Sequence, residues 1–528
     1  MKKLYVLILI FFTFLNFYGQ APGIVWQKCY GGNGYEQAEC VRQTNDGGYI
    51  AVGYTTSSDG DLVGHPSGTS NDYWIVKLNS NGGIVWKKTL GGTKQDKAFS
   101  VETTNDGGYI VMGTTNSNDL DVTDFVGPSD SDVSTWIIKL NASGGIQWKK
   151  SYRGSSFYDE LAKSIHQTAD GGYIFTGSFF LYGSGTEMWI VKLDANGEIV
   201  WQKNYGGTRA EHATAIQSTS DGGYIVVGDT NSLDGNVTGF HGASNNGSPD
   251  VWVIKLNGSG DLQWQKTLGG TFDDYGTDIA QTSDGGYILA GRTRSFDGDV
   301  IGYHFFSTSG NDNVEPDAWI IKLDSTGNME WNKAYGGSYD DGWNCRIIQT
   351  QDQRYVFVCA IGSYDGDVDE NHGNNNAWAV KIDGSGNILW KQSMGTYPTT
   401  YPTSIEQTAD NGFVISGYIQ INNGAEISTI TGYHDGLDFF IVKMMPDTLA
   451  NTTFEINNTT VYPNPTTGIL NVESETDFDA LTIYSLDGRA LLSVTSKRVD
   501  VVQLSSGSYI IKATNKGSSV FTRKFMKQ

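Results

Sequence analysis

The sequence predicts an all-β protein: a seven-bladed β-propeller with four strands per blade, followed by a small β-sandwich. Three observations lead there. A Trp-bearing segment of the type Ile-Val-Trp-Gln-Lys recurs at Trp26, Trp86, Trp148, Trp201, Trp264, Trp331 and Trp390, at intervals of 60, 62, 53, 63, 67 and 59 residues, and a fixed period of several tens of residues marks a repeat architecture. Each period holds four short apolar runs separated by turn residues and no helical pattern. The repeat also begins and ends with one unpaired run, which lets the two ends complete a single blade. The chain is 528 residues with 67 Gly and only 10 Pro, rich in turns and poor in the residue that would make a rigid linker.

Residues 1–20 read as a signal peptide. Lys2 and Lys3 precede an apolar run from Leu4 to Phe17, then Gly19, Gln20 and Ala21, the charge, core and small-residue order of a secretory leader. The run falls short of the ~20 residues of a bilayer span, and no later stretch approaches it. The first cysteine, Cys29, is too distant for a lipoprotein anchor.

The repeat region spans 21–446. In each period an Ile-x-Gln-Thr-like run (strand A) leads to Asp-Gly-Gly-Tyr at Asp46, Asp106, Asp170, Asp221 and Asp284, degraded at Asp352 and Asp410. Strand B follows, of the type Gly-Tyr-Ile-Val-Val-Gly, then a variable loop. Strand C, Trp-Ile-Val-Lys-Leu, lies at Trp74, Trp136, Trp189, Trp252, Trp319 and Trp378, with Phe440 in the seventh slot. A tight turn joins it to strand D, the Ile-Val-Trp-Gln-Lys segment. Runs apolar on both faces need sheets covered on both sides, as radial stacking provides. The first D strand, Ile24 to Tyr30, has no C before it, and the last C strand, Phe439 to Lys443, has no D after it, so the two are expected to pair antiparallel and leave no open edge. These repeats resemble the PQQ-type and related bacterial propeller repeats over residues 24–444, which implies fold and not function.

Thirteen of the fourteen tryptophans occupy the two repeated slots and read as core. Each would bury 150–250 Å², an upper bound of roughly 4–6 kcal/mol. Trp343 is the exception. Four cysteines (29, 40, 345, 359) contain no CxxC pair, which excludes a zinc knuckle; Cys345 and Cys359 are expected to face each other across the A–B hairpin of blade 6.

After Met445 the repeat stops, and a link at 447–459 leads to a segment, 460–528, of different character. It carries Tyr462-Pro463-Asn464-Pro465, then Gly488-Arg489, Gly507-Ser508-Tyr509 and Lys524-Phe525-Met526-Lys527 at the terminus. In this order and flush with the end, these motifs resemble the type A C-terminal sorting domain of type IX secretion cargo in Bacteroidetes. The resemblance implies passage of the inner membrane by the leader, outer-membrane export by the secretion machinery, removal of the domain by a sortase-like protease, and a secreted or surface-attached product.

Charge narrows the partners. Asp plus Glu number 58 against 36 Lys plus Arg, and with the leader and the near-neutral tail set aside the repeat region carries −25. Such a surface repels nucleic acid and anionic lipid; no nucleic-acid partner and no membrane span after leader cleavage are expected, and the protein reads as a monomer.

The D–A and B–C loops share one face of such a propeller. Five B–C loops hold Asp-Gly-Asp or a variant: Asp59 and Asp61, Asp119 and Asp121, Asp234 and Asn236, Asp297 and Asp299, Asp365 and Asp367. Oxygen ligands around Gly suit Ca²⁺, the one cofactor the sequence suggests, and equally suit turns in which Asp bonds its own backbone. His65, His241, His304, His372 and His434 lie farther along these loops and read as loop packing. Carboxylates at Glu36, Asp96, Glu160, Glu211 and Asp274 begin strand A and are expected to ring the channel mouth, bonding the Gly-Gly amides.

Specificity should lie where a blade departs from the repeat. Blade 6 supplies Asp340, Asp341 and Trp343; blade 7 has Tyr397 to Pro402, with Tyr401, in place of a Gly-Gly loop; blade 5 has Phe305 and Phe306; blade 3 has Phe179, Phe180 and Tyr182. Aromatics beside carboxylates suit sugar rings. No Gly-x-Ser-x-Gly, His-Glu-x-x-His, phosphate loop or sialidase-type Asp box occurs. The leading reading is a non-enzymatic exported protein that binds a glycan or surface polymer; the alternative is a polysaccharide-degrading, endoglucanase-like glycoside hydrolase using two carboxylates, for which Asp341 and Asp274 are the candidates.

Overall fold

A computed structural model describes residues 19–63, 70–125, 133–152, 162–181, 185–242, 247–304, 315–395, 397–421, 430–434, 436–447, 460–474, 478–485, 489–515 and 518–528. The leader before residue 19, His65, Glu160, Tyr182, Phe305, Phe306 and Gly488 lie outside the described residues, as do the side chains of Phe180 and Lys524.

Seven four-stranded antiparallel sheets form the first of two compact units, which divide between Asp447 and Thr448. Each sheet runs A–B–C–D; in blade 1 these are Glu36–Gln43, Tyr49–Thr55, Asp72–Leu78 and Ile84–Leu90. In blade 7 the strands Pro398–Gln407, Phe413–Ile421 and Leu437–Met444 take Ile24–Tyr30 as strand D, with Tyr30 opposite Phe439 and Trp26 opposite Lys443. The ring closes as the strand count predicts. The residues read as a loop in blade 7 are instead a lengthened strand A, since Pro398 to Pro402 pair with strand B from Ile421 to Gly417.

Three repeated contacts explain the two sequence signatures. The Lys of Trp-Ile-Val-Lys-Leu is buried and pairs with the Asp of Asp-Gly-Gly-Tyr, as in Lys77–Asp46 and Lys139–Asp106 at 2.9 Å and Lys192–Asp170 and Lys255–Asp221 at 2.8 Å. The Gln ending strand A reaches the preceding blade: Gln43 Oε1 accepts from Ala409 N at 2.7 Å, and Gln281 Oε1 from Ser220 N at 2.8 Å. Strand-C tryptophans are fully buried, but those of strand D, apart from Trp390, are only partly covered. They lie between blades: Trp26 packs on Tyr49 and Trp201 on Tyr224, ring centroids 5.8 and 5.9 Å apart. The outer tryptophans are therefore mortar and not core.

Cys345 and Cys359 are neighbouring buried thiols in the core between blades 5 and 6, and burial, then Cys345, pushes the Cys359 thiol well above its ordinary range.

The second unit packs a three-stranded sheet (Thr460–Tyr462, Ile469–Glu473, Arg498–Asp500) with a four-stranded one (Ala490–Val494, Ala480–Tyr484, Gly507–Asn515, Ser518–Lys527). Leu470, Val472, Leu481, Ile483, Val499, Ile511 and Phe525 fill the space between.

The Lys–Asp clamps make the propeller acid-sensitive in a defined window. The Thr44 hydroxyl, with Lys77 and the Gly48 amide, holds Asp46 down at about 2; at Asp106, Asp170, Asp221 and Asp284 burial pulls upward but the Thr hydroxyl and the Lys outweigh it, again giving about 2. A depressed folded pKa contributes stability that is present above the unfolded value of about 3.9 and is lost as pH falls through the folded one. The urea midpoint should therefore fall between about pH 4 and pH 2, and Asp221→Asn should lower it at neutral pH while reducing its slope in that window.

Candidate functional site

On the D–A/B–C face, the first carboxylate of strand A lies beneath the Gly-Gly loop rather than around the channel mouth. Glu36, Asp96 and Asp274 are fully buried and accept from Gly32 N, Gly92 N and Gly270 N at 2.8 Å. Asp341 repeats this with Gly337 N at 2.8 Å and also takes Gly362 N at 2.9 Å and Ser363 Oγ at 2.6 Å. Asp274 takes the hydroxyls of Thr293 and Ser295. The expected bonding to Gly-Gly amides is present; the expected exposure at the mouth is not. The proposed catalytic pair, Asp341 and Asp274, consists of two copies of one structural position, with no surface open to a substrate. Burial pushes Asp274 up to about 7 and Asp341 to about 6, against these hydrogen bonds. The first Gly is required for space: a Cβ on Gly269 would sit 2.5 Å from Asp274 Oδ2 and 2.9 Å from Asp250 Oδ1.

The Asp-Gly-Asp turns are clamps. Asp59 takes Asn33 N and Nδ2 at 2.8 and 2.7 Å, and Asp119 and Asp297 take the amide and hydroxyl of Thr93 and Thr271 at 2.6–2.9 Å. Asp365 binds Ser338 likewise. The second residue gives its amide to the Gly-Gly carbonyl, Asp61 to Gly31 and Asp367 to Gly336 at 2.7 Å, and Asp121 to Gly91 and Asp299 to Gly269 at 3.1 and 2.9 Å. The first carboxylate in each of these turns is thus hydrogen-bonded to the neighbouring loop, as a turn former is. Among the described residues no group of three or more His, Cys, Asp or Glu side chains is placed to hold a metal. His241 and His304 bond the buried Asp250 and Asp317 through Nδ1, at 3.1 and 2.9 Å, in keeping with loop packing.

The channel mouth is built by a device that strand patterning conceals. In blades 1, 2, 4, 5 and 7 the A–B register slips at one residue of strand A, between Ala38 and Cys40 in blade 1 and between Gly276 and Asp278 in blade 5. Each slip is a β-bulge, which re-aims one side chain. In blades 4, 5 and 7 that residue is Thr, whose hydroxyl satisfies backbone across the seam: Thr214 to Gly276 O, Thr277 to Cys345 O and Thr403 to Ala38 O, all at 2.8 Å. In blades 1 and 2 it is Glu39 and Phe99, while Lys163 and Asn344 reach the same cavity from blades 3 and 6. That cavity, of about 380 Å³, is lined by Gln37, Glu39, Tyr54, Lys97, Phe99, Lys163, Thr214, Thr277, Asn344, Arg346 and Tyr418. Burial raises Glu39 to about 7, opposed by Lys163, Arg346, Lys97 and a hydrogen bond from Gln37. Below it the channel narrows among Arg42, His166, Gln217 and Asp278; Gln43 N and Gln167 N donate to Glu406 and Glu102 at 2.6 Å, stitching neighbouring blades.

Cross-strand A–B pairs form the rim, with Tyr401 stacked on Tyr418 at 5.2 Å and Arg292 between Tyr275 at 4.7 Å and Trp343 at 3.7 Å. Trp343 is 37% exposed and donates Nε1 to Asp340 at 2.6 Å. Arg292 Nη1 is out of solvent with no hydrogen-bond partner among the described residues. Tyr397 is exposed. Phe179 packs on Trp189 of its own blade, 6.0 Å between centroids, and is partly buried there rather than offered to a ligand. Blades 6 and 7 thus place Trp343, Tyr401 and Tyr418 at the rim. Lys97, Lys163 and Arg346 were not found by sequence reasoning; for Lys163 the available signal was the third residue after the strand-A carboxylate, Thr in some repeats and Glu, Phe or Lys in others, whereas Lys97 and Arg346 stand one and five residues after Asp96 and Asp341, outside that pattern.

In the second unit the sorting motifs meet. Thr466, just after Pro465, bonds Met526 O and Gln528 N at 2.8 and 2.9 Å; Asn464 Oδ1 accepts from Met526 N at 2.9 Å; Tyr462 donates to Glu473 at 2.6 Å. Tyr509 stacks on Phe525 at 5.7 Å, Gly507 pairs with Lys527, and Arg489 closes a turn with Ser485 at 3.0 Å.

Residues 460–528 match the family model described as a secretion system C-terminal sorting domain. The Caulobacter vibrioides regulatory protein FlaEY is 24% identical over 207 residues, 38% of this chain and 21% of that protein, so the match spans about a fifth of that relative's length. Solved structures that the chain is similar to include a Bacteroides caccae protein of unknown function (TM-score 0.35, 12% identity, 66% of this chain and 96% of that one). The Neurospora crassa Pan2 WD40 domain gives 0.42 at 11% identity (78% and 89%), and Drosophila Semaphorin 1b extracellular domains 1-2 give 0.40 at 8% (80% and 87%). The protein is a β-propeller cargo of type IX secretion, secreted or held at the cell surface. Among the described residues no helix is long and apolar enough to cross a membrane.

Two outcomes follow. Asp341→Asn and Asp274→Asn should each cost stability by about 1–3 kcal/mol through lost buried hydrogen bonds, read as parallel falls in melting temperature; a loss of function without such a fall would contradict the structural role. Deleting 460–528 should leave the propeller folded, because its ring closes without the tail, but retained in the periplasm; secretion of the truncated chain at the full-length level would contradict the sorting role.

Proposed function

We propose that the loop-rich face of the propeller binds a glycan or surface polymer once the protein is outside the cell, and that a sortase-like protease removes the tail during export. The observation that carries the binding reading is the channel-mouth cavity. Its volume of about 380 Å³ lies in the range of small-ligand sites, and Tyr54, Phe99 and Tyr418 line it among hydrogen-bonding groups. Apolar faces for ring stacking beside donors and acceptors for hydroxyls are what saccharide recognition asks for. Trp343 and Tyr401 extend that surface along the rim.

One observation favours a second reading, a glycoside hydrolase. Glu39 is a carboxyl in the cavity raised to about 7, the range of a general acid, and Asp278 lies in the adjoining narrow part of the channel. Against it, Glu39 is the only acid among the described residues of the cavity wall, whereas the chemistry takes two.

The test is a panel of plant, algal and bacterial polysaccharides assayed for both binding and reducing-end release. Binding without release, weakened roughly tenfold or more by Trp343→Ala through loss of an aromatic contact, is the expected outcome. Release of reducing ends that Glu39→Gln abolishes would replace it with the hydrolase reading.

A further inference from the structure

The glycan reading leaves the class of sugar open, and the charge distribution around the cavity narrows it. The repeat region carries −25, yet Lys97, Lys163 and Arg346, from blades 2, 3 and 6, converge on one cavity in whose wall, among the described residues, Glu39 is the one acid. Deeper in the channel acids predominate: Arg42 lies in the fields of Glu406, Glu102 and Asp278, and Arg346 in that of Asp278 as well as Glu39. Among the described residues the mouth is therefore the positive end of the channel and the part below it the negative end.

We propose that this cavity binds an anionic saccharide, a sugar unit bearing a carboxylate or sulfate, with Lys97, Lys163 and Arg346 meeting its charge. The proposal rests on the glycan reading above and specifies it. The cations are held in place for that task. Arg346 donates Nη1 to Thr277 O and Cys345 O at 3.2 and 3.0 Å, which fixes the guanidinium against the wall. The Lys163 ammonium rides over Phe99 of blade 2 at 5.0 Å and that of Lys97 over Tyr54 of blade 1 at 5.6 Å, so each charge is held against an aromatic ring of the neighbouring blade. Lys163 also sits in the position that other blades give to a Thr whose hydroxyl bonds backbone across the seam.

Glu39 supplies the readout that a merely structural cluster would not move. It faces Lys163, Arg346 and Lys97 from blades 3, 6 and 2, Tyr418 from blade 7, and Gln37 on its own strand. Burial raises it to about 7. An anion arriving beside it favours the protonated form, so binding takes up a proton, and affinity rises as pH falls through 7.

The experiment is titration calorimetry on the full-length mature chain with three probes of equal length: oligogalacturonate for the carboxylate, a sulfated carrageenan oligosaccharide for the sulfate, and cello-oligosaccharide as the neutral control. The expected result is binding of one or both anionic probes, at least roughly tenfold tighter than the neutral one, with the two anionic arms deciding between carboxylate and sulfate. Lys163→Gln and Lys97→Gln should each weaken the anionic probe roughly tenfold or more, Lys163→Arg should restore it, and Glu39→Gln should tighten it and flatten the pH dependence. Equal affinity for neutral and anionic probes, unchanged in Lys163→Gln, overturns this proposal and leaves the glycan reading standing; binding of none of the three, by a chain whose circular dichroism shows it folded, overturns both.

Discussion

Every blade is apolar on both faces, and that single constraint governs the rest of the propeller. A sheet of this kind has no solvated side, so it is stable only between two others, and seven of them satisfy the condition together only when the ring closes. Closure falls to Ile24–Tyr30, which completes the blade of Leu437–Met444 from the other end of the repeat region. The seams then need hydrogen bonds at the ends of the strands and bulk between them. The strand-A carboxylate under the Gly-Gly loop holds one end, the Gln at the close of strand A the other, and the strand-D Trp the outer flank. Residues recur from blade to blade because each seam poses the same problem.

The same logic separates scaffold from function. At the bulge in strand A, Thr214, Thr277 and Thr403 place a hydroxyl on a carbonyl of the next blade. Glu39 and Phe99 occupy that position without making such a bond, and Lys163 and Asn344 reach the same space from blades 3 and 6. A site made by substituting a scaffold residue in only some repeats is surrounded by rigid strands, which favours a pre-formed pocket over one assembled on loops.

Much of the fold was legible in the sequence because it is written in periodic apolar runs and turn residues, which report strand count and order directly. The orphan strands at the two ends carried the closure, and the motif order from Tyr462 to Lys524 carried the sorting domain. The cavity was not legible for a physical reason. A bulge inserts one residue into a strand without changing its composition, so alternation counted through residues 36–43 misplaces Glu39, and nothing local marks the slip. The carboxylates at Asp274 and Asp341 were misplaced for a related reason: their bonding to Gly-Gly amides follows from sequence spacing, but their depth depends on how far the loop folds back over them. Exposure of aromatics was equally hard to read, since Phe179 finds Trp189 across its own hairpin.

Acidity over the domain and cations at its centre act over different distances. At physiological ionic strength the field of a surface charge decays within about 8 Å, so the many carboxylates of the outer surface act as a short-range repulsive skin over the blades. An extended anionic chain laid across the face meets that skin along its length, whereas a single charged unit or chain end entering the channel mouth meets Lys97, Lys163 and Arg346 at close range with less water between. Low dielectric strengthens the attraction inside the cavity, and screening weakens the repulsion outside it more than the contact within. On the anionic-saccharide proposal the geometry favours a terminal or looped unit over a polymer held side-on, because one sign of charge is gathered at a half-buried channel mouth and the other is spread where salt can screen it.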